Sequence, residues 1–147
     1  MIGAVLAKRA ARQAFATLNR KDLDGVMRAW ADDAVFEFPG RLPVSGKYEG
    51  KQAIESFFRT WFDKMATIRF SVKHVAVERI FALGATNAVT AEWDVVETDQ
   101  QGRTYYASGV TVLQARGGKL VRVRDYIFDL APLEEAWRTA ETTTSVA

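Results

Sequence analysis

Apolar positions change their period once along this chain, and the change divides it into two halves. From Ala4 to Leu18 the residues Leu6, Ala10, Ala11, Ala14, Phe15 and Leu18 recur at helical spacing, predicting an amphipathic helix that fades at Asn19. Asp22 stands where an N-cap belongs. Leu23, Val26, Met27 and Trp30 follow at i, i+3, i+4 and i+7, the stripe of a second, shorter helix that forms a hairpin with the first. "AVFEFPG" is a short strand stopped by Pro39 and Gly40, and the turn formers of "RLPVSGKYEG" predict a loop. A broad apolar face made by Ile54, Phe57, Phe58, Trp61, Phe62 and Met65 then predicts a third helix over 51–66.

Beyond Thr67 the period shortens to two. Four strand-like runs, 68–81, 88–98, 103–115 and 119–129, are separated by the turn signals "LGATN", "DQQG" and "RGG". Helices first and strands last imply an α+β fold, with three N-terminal helices on one face of a curved, mostly antiparallel sheet. The residues after "PLEEAW", from about 139 to 147, read as a frayed tail. Neither a repeat nor a linker divides the 147 residues, which are expected to form one domain.

Composition narrows the functional classes. With 48% apolar and 26% charged residues the chain has the balance of a folding globular domain. It contains no cysteine, which removes thiolate metal sites and cysteine nucleophiles. The net charge is only +2, and Lys and Arg are interleaved with 18 acids instead of clustering, so nucleic acid is not the expected partner. No run reaches the roughly 20 apolar residues of a membrane span, and "IGAVLA" is too short for a signal-peptide core; a cytoplasmic protein without membrane attachment is expected. No glycine-rich phosphate loop stands before a helix, and the lone His74 has no ligand cluster around it in sequence, so neither cofactor nor metal is indicated.

The candidate chemistry begins with a carboxylate in an unfavourable place. Strand interiors disfavour Asp, yet Asp125 interrupts the last strand on the face carrying Val121, Val123 and Ile127. Burying an ionised carboxylate without partners costs several kcal/mol, so Asp125 is either bonded to a neighbouring strand or set into a pocket. Asp129 follows four positions later. Glu92 and Asp94 alternate with Val89, Ala91, Trp93 and Val95, a pattern that by itself sends both acids to solvent and Trp93 to the core. Trp30, Phe36, Phe38, Phe58, Phe62 and Tyr106 are candidates to line an apolar cavity.

Two helices, "WADDAVFEFPG", the run Gly46, Gly50, Ala53, Ile54, Phe57, Phe58, and a meander closing on "GKLVRVRDYIFD" together resemble the nuclear transport factor 2-like superfamily. Within it the chain is similar to the SnoaL-like group, which includes polyketide cyclases, ketosteroid isomerases and epoxide hydrolases. The resemblance spans about residues 8–138 and implies a cone-shaped pocket. It implies no single reaction, because function lives in the site and not in the fold. Where ketosteroid isomerases carry the proton-shuttling Asp, this chain has Phe38; their oxyanion-hole tyrosine falls at Ala14, and their protonated Asp near Tyr106 or Val110. In limonene-type epoxide hydrolases the first Asp of a similar terminal motif activates water, which corresponds to Asp125. Their Arg-x-Asp falls on Glu92 and Asp94, and their water-holding Tyr and Asn on Phe36 and Phe38.

The resemblance thus implies that Asp94 points into the cone beside Asp125, the two titrating as a coupled pair, with Trp93 in a subunit interface. Catalytic candidates are Asp125 and Asp94. Substrate-binding candidates are Trp30, Phe36, Phe38, Phe58, Tyr106, Val110, His74 and Glu92. The expected function is cofactor-free acid/base catalysis on a small hydrophobic molecule (isomerase, cyclase or hydrolase type) with Asp125 as base. The alternative is a binding or dimerisation module that does no chemistry. Outward Arg122, Arg124 and Tyr126 suggest a homodimer through the open sheet face.

Overall fold

The computed structural model describes residues 2–79 and 86–144. Its elements run α1 (Ile2–Asn19), α2 (Leu23–Arg28), β1 (Trp30–Phe38), β2 (Gly46–Glu49), α3 (Lys51–Lys64), β3 (Met65–Val77), β4 (Asn87–Asp99), β5 (Thr104–Arg116), β6 (Lys119–Ile127) and α4 (Ala131–Thr144). One curved, unclosed sheet has the order β2-β1-β6-β5-β4-β3. All neighbours are antiparallel except β1 and β6, which are parallel. The α+β reading holds, with three helices in the N-terminal half and four long strands after them, although β1 and β2 precede α3 and a fourth helix follows the sheet.

The differences have local causes. Asp22 caps α2 as expected, its Oδ1 accepting from the Gly25 N–H at 2.9 Å. The helix nevertheless ends before Trp30, because the Leu120 N–H donates to the Ala29 carbonyl at 2.7 Å and draws Trp30 into the sheet opposite Leu120. The turn formers of 39–45 account for only part of the expected loop; Gly46–Glu49 pairs with β1, setting Tyr48 against Phe36. Gly50 joins this edge strand to α3 at φ 86°, a left-handed backbone that residues with a Cβ rarely adopt.

The helix α4 is absent from the sequence reading. Asp129 Oδ1 accepts from the Ala131 N–H at 3.0 Å, Pro132 occupies the first turn, and Leu133, Ala136 and Trp137 form a short buried stripe. Backbone 139–144 therefore continues as helix where a tail was expected, and 145–147 lie outside the described residues. The last two positions of the run 68–81 and most of "LGATN" also lie outside them.

The helices cover the concave face of the sheet. Phe57 and Phe58 of α3 meet Phe36 of β1, at 4.8 Å and 5.9 Å between ring centroids, and Phe58 also meets Trp30 at 6.0 Å. Such edge-on and stacked pairs contribute roughly 0.5–1.5 kcal/mol each beyond their buried area. They form one wall of a cavity that the core does not fill.

Candidate functional site

Strand register decides which side chains reach the concave face. Along β4 the buried positions are Val89, Ala91, Trp93, Val95, Glu97 and Asp99. Their cross-strand partners on β5 include Leu113, Thr111, Gly109 and Tyr105, and those of β5 on β6 include Val123, Asp125 and Ile127. Directly paired residues share a face, so Asp125, Thr111 and Trp93 all point inward. They border a cavity of about 300 Å³, at the small end of the roughly 300–1,000 Å³ range of small-molecule sites.

Most of the lining is aromatic or aliphatic: Trp30, Phe36, Phe38, Phe57 and Phe58 on one side, Trp93, Val95, Leu113 and Val123 on the sheet. Leu133 and Trp137 of α4 add to it, and α1 contributes the polar Gln13 and Thr17. Phe38, Asp125 and Ile127 also border a shallower cleft beside Pro39, Gly40 and Ser45, so Asp125 stands where the two spaces adjoin. This explains why its side chain is only part-buried by surface while surrounded by protein on its other sides.

Asp125 is held by a short chain of donors. The Trp93 indole Nε1–H donates to Thr111 Oγ1 at 2.9 Å, and the Thr111 hydroxyl donates to Asp125 Oδ1 at 2.5 Å. With its one proton committed to Asp125, the Thr111 oxygen accepts from Trp93, which fixes the direction of both bonds. Burial pushes the Asp125 carboxyl up from 3.8 to about 6, with the Thr111 hydrogen bond pulling the other way. Trp93 reaches this position because Gly109, its partner on β5, has no side chain: a Cβ there would lie 2.8 Å from the indole and 2.5 Å from the Tyr126 carbonyl.

A second carboxyl borders the same cavity. Glu97 is 4% exposed, and its Oε1 accepts from the Trp61 indole Nε1–H at 2.7 Å. Burial pushes it up from 4.5 to about 7, the Trp61 hydrogen bond opposing. Next along the same face, Asp99 behaves in the opposite sense. Its burial would raise its pKa, but hydrogen bonds from the Arg103 backbone and guanidinium, the Gln101 backbone and the Tyr105 hydroxyl outweigh this and hold it below the usual carboxylate range. That cluster closes the β4–β5 turn.

Of the residues expected at the site, Asp125, Trp30, Phe36, Phe38 and Phe58 line the cavity. Asp94, Glu92, His74, Tyr106 and Val110 do not. Asp94 lies on the outer face, 2.9 Å from Lys73 Nζ, and Glu92 Oε2 lies 2.6 Å from His74 Nδ1. Val110 is the register partner of both Glu92 and Tyr126 and shares their outer face, as does Tyr106, which is 66% exposed. The resemblance would turn Asp94 inward and Trp93 outward; simple alternation gives the reverse, and the structure follows alternation. No coupled Asp94–Asp125 pair forms.

Thr111, Trp93, Trp61 and Glu97 are the site residues that the sequence reading passes over. The signal for Glu97 was present, since stepping by two from Trp93 through Val95 arrives at it. Among the described residues no group of three His, Asp or Glu side chains is placed to hold a metal ion, and no helix is long and apolar enough to cross a membrane.

Comparison with known proteins agrees with this architecture. The protein YesE of Bacillus subtilis (strain 168), which is uncharacterized, is 32% identical over 120 residues, covering 78% of this chain and 76% of that protein. Among solved structures, Bal32a from a soil-derived mobile gene cassette superposes with a TM-score of 0.76 at 18% identity, covering 92% of this chain and 99% of that one. A candidate isomerase from Bacillus subtilis matches with a TM-score of 0.70 at 28% identity, covering 90% and 92% of the two chains. The family model for the SnoaL-like domain matches residues 11–123, from within α1 through α3 and β3–β5 into β6, ending just before Asp125. The chain belongs to the SnoaL-like domain family.

Proposed function

We propose that this protein is an enzyme that moves a proton on a small, largely apolar molecule bound in the cavity, with the Asp125 carboxylate as the base. The observation that carries this reading is the carboxylate of Asp125 at the wall of an apolar cavity, its Oδ1 fixed by Thr111 and its Oδ2 left without a hydrogen bond among the described residues. A base works best with a pKa close to the working pH. Near 6, Asp125 is a stronger base than an ordinary carboxylate yet still mostly ionised at neutral pH.

The chemistry follows from these parts. A C–H beside a carbonyl, seated against the aromatic wall, gives its proton to Oδ2 while the electron pair shifts towards the carbonyl oxygen. Asp125 then returns the proton to another carbon, which completes an isomerisation. In a cyclisation the enolate carbon instead attacks a second carbonyl carbon of the same molecule, whose π electrons move to its oxygen, and that oxygen takes the proton back from Asp125. Thr111 and Trp93 hold the carboxylate in one orientation throughout, so little reorganisation accompanies the transfer. The candidate isomerase among the similar structures supports this class of reaction.

The test uses 5-nitrobenzisoxazole, a flat apolar probe whose ring opens when a base removes its one acidic C–H and the N–O bond breaks. Saturable opening is expected, with Asp125→Asn lowering it by about 10²-fold or more and Asp94→Asn leaving it unchanged. Equal rates for the native protein and Asp125→Asn would remove the base and leave a binding pocket. We further propose that the outer sheet face, with Tyr106 and Tyr126 66% and 51% exposed around Val110, meets a second copy of the chain. Sedimentation should give a dimer that Tyr106→Glu dissociates; a native monomer at micromolar concentration would refute it.

A further inference from the structure

Glu97 has no part in the proton transfer proposed above, yet few of its surroundings explain a buried acid. Its recorded hydrogen bond is the one from Trp61, to Oε1. Among the described residues no sealed side-chain oxygen or nitrogen lacks a partner, so Oε2, which has no hydrogen bond among them, keeps some accessible surface, and Glu97 lines the cavity. A structural role would be served by a residue that satisfies Trp61 without burying a second oxygen.

Its position is well separated from Asp125. Asp125 pairs with Thr111, Thr111 pairs with Ala91, and Glu97 lies six residues farther along β4. Six strand residues span at most roughly 20 Å, and the bend of the sheet shortens the direct path. Between the two carboxyls the wall along β4 is Trp93 and Val95. The cavity therefore has an apolar middle and one acid towards each end.

We propose that Glu97 is a ligand-binding residue that donates its carboxyl hydrogen to a carbonyl, ether or hydroxyl oxygen of the bound molecule, at the end remote from Asp125. The ligand is thus an elongated apolar compound with an oxygen acceptor away from the reacting carbon. A protonated carboxyl both keeps Trp61 bonded at Oε1 and supplies a donor at Oε2, which an ionised one cannot do. Its raised pKa agrees, keeping it largely protonated in mildly acidic solution.

Other ionisable groups near it are already engaged. Asp99 is bonded to Arg103 and Tyr105, Tyr105 being the register partner of Glu97. Lys64 of α3 stands over the Trp137 ring at 4.9 Å, and Lys21 donates to the Met65 carbonyl at 2.5 Å. This assignment rests on the same cavity as the proposed function but not on Asp125 being a base.

The experiment compares 2-acetylnaphthalene with 2-ethylnaphthalene, which share a shape and differ in the acceptor oxygen, by quenching of the cavity tryptophans. At pH 5.5 the native protein should bind the ketone roughly two- to tenfold more tightly, the worth of one hydrogen bond. The preference should fade as the pH rises through about 7. Glu97→Gln, which keeps an N–H donor, should hold the preference at every pH, and Glu97→Ala should abolish it. Circular dichroism of each variant confirms folding. Equal affinities for the two probes in the native protein, including no binding of either, or a preference that survives in Glu97→Ala, would overturn the proposal. Asp125→Asn should leave the preference intact while stopping proton transfer, so the two readings fail separately.

Discussion

Replacing Glu97 with Gln should make the protein more stable at alkaline pH and leave it almost unchanged in acid. The folded chain holds the Glu97 proton more tightly than the unfolded chain does, since burial raises its pKa from 4.5 to about 7. Stability linked to a raised pKa is fully present below the unfolded value and is lost as the pH climbs through the folded one. The interval from 4.5 to about 7, at about 1.36 kcal/mol per pH unit, corresponds to about 3 kcal/mol, an upper figure for a group facing a cavity that can hydrate. Gln keeps an oxygen for the Trp61 N–H and carries no charge. Urea unfolding followed by tryptophan fluorescence should therefore show the difference between variant and native protein growing from near zero at pH 4.5 to as much as about 3 kcal/mol above pH 8. Asp125 lowers the stability of both proteins in the same direction between 3.8 and about 6, which is why the difference, not the native curve, is the readout. A difference that stays constant across the range would refute the reasoning, as would one that shrinks with pH.

Two further changes test the support of Asp125. Thr111→Val removes the hydroxyl that lowers the Asp125 pKa and orphans the Trp93 N–H, so the acid limb of the ring-opening rate with 5-nitrobenzisoxazole should move to higher pH by about one unit, the size of a lost hydrogen bond to a charged group; an unmoved limb would separate Thr111 from the base. Gly109→Ala forces a Cβ to within 2.8 Å of the Trp93 ring and 2.5 Å of the Tyr126 carbonyl, and thermal or urea unfolding should show a loss of about 1–3 kcal/mol. Native-like stability in that variant would mean that Trp93 does not depend on the bare backbone of Gly109.

Period alone carried most of the architecture. The switch from helical spacing to alternation after Thr67 located α3 and the four long strands, because each buries one broad face and the pattern is sustained over many residues. Short elements were lost for the same reason: β2 has four residues, and α4 shows only Leu133, Ala136 and Trp137 as its buried stripe. Trp30 fitted a helical stripe by spacing, but its pairing with Leu120 is a contact made across about ninety residues that no local pattern contains.

At the site, Asp125 was legible because a carboxylate among Val121, Val123 and Ile127 contradicts its surroundings. The inward Glu97 was equally contradictory, following Trp93 and Val95 on the buried face, but attention to a family motif at Glu92 and Asp94 drew the reading to the wrong face of the same strand. Thr111 could not be singled out from sequence, since its role depends on lying between Trp93 and Asp125 across three strands.

The Asp125 carboxyl borders an apolar cavity, where burial holds it as an unusually basic group. Carbon-13 NMR titration of the aspartate carboxyls, with the Asp125 resonance assigned by its disappearance in Asp125→Asn, measures this directly. A midpoint near 6 that moves when 2-acetylnaphthalene fills the cavity is the expected result. A midpoint at the ordinary 3.8, indifferent to the ligand, would contradict the account.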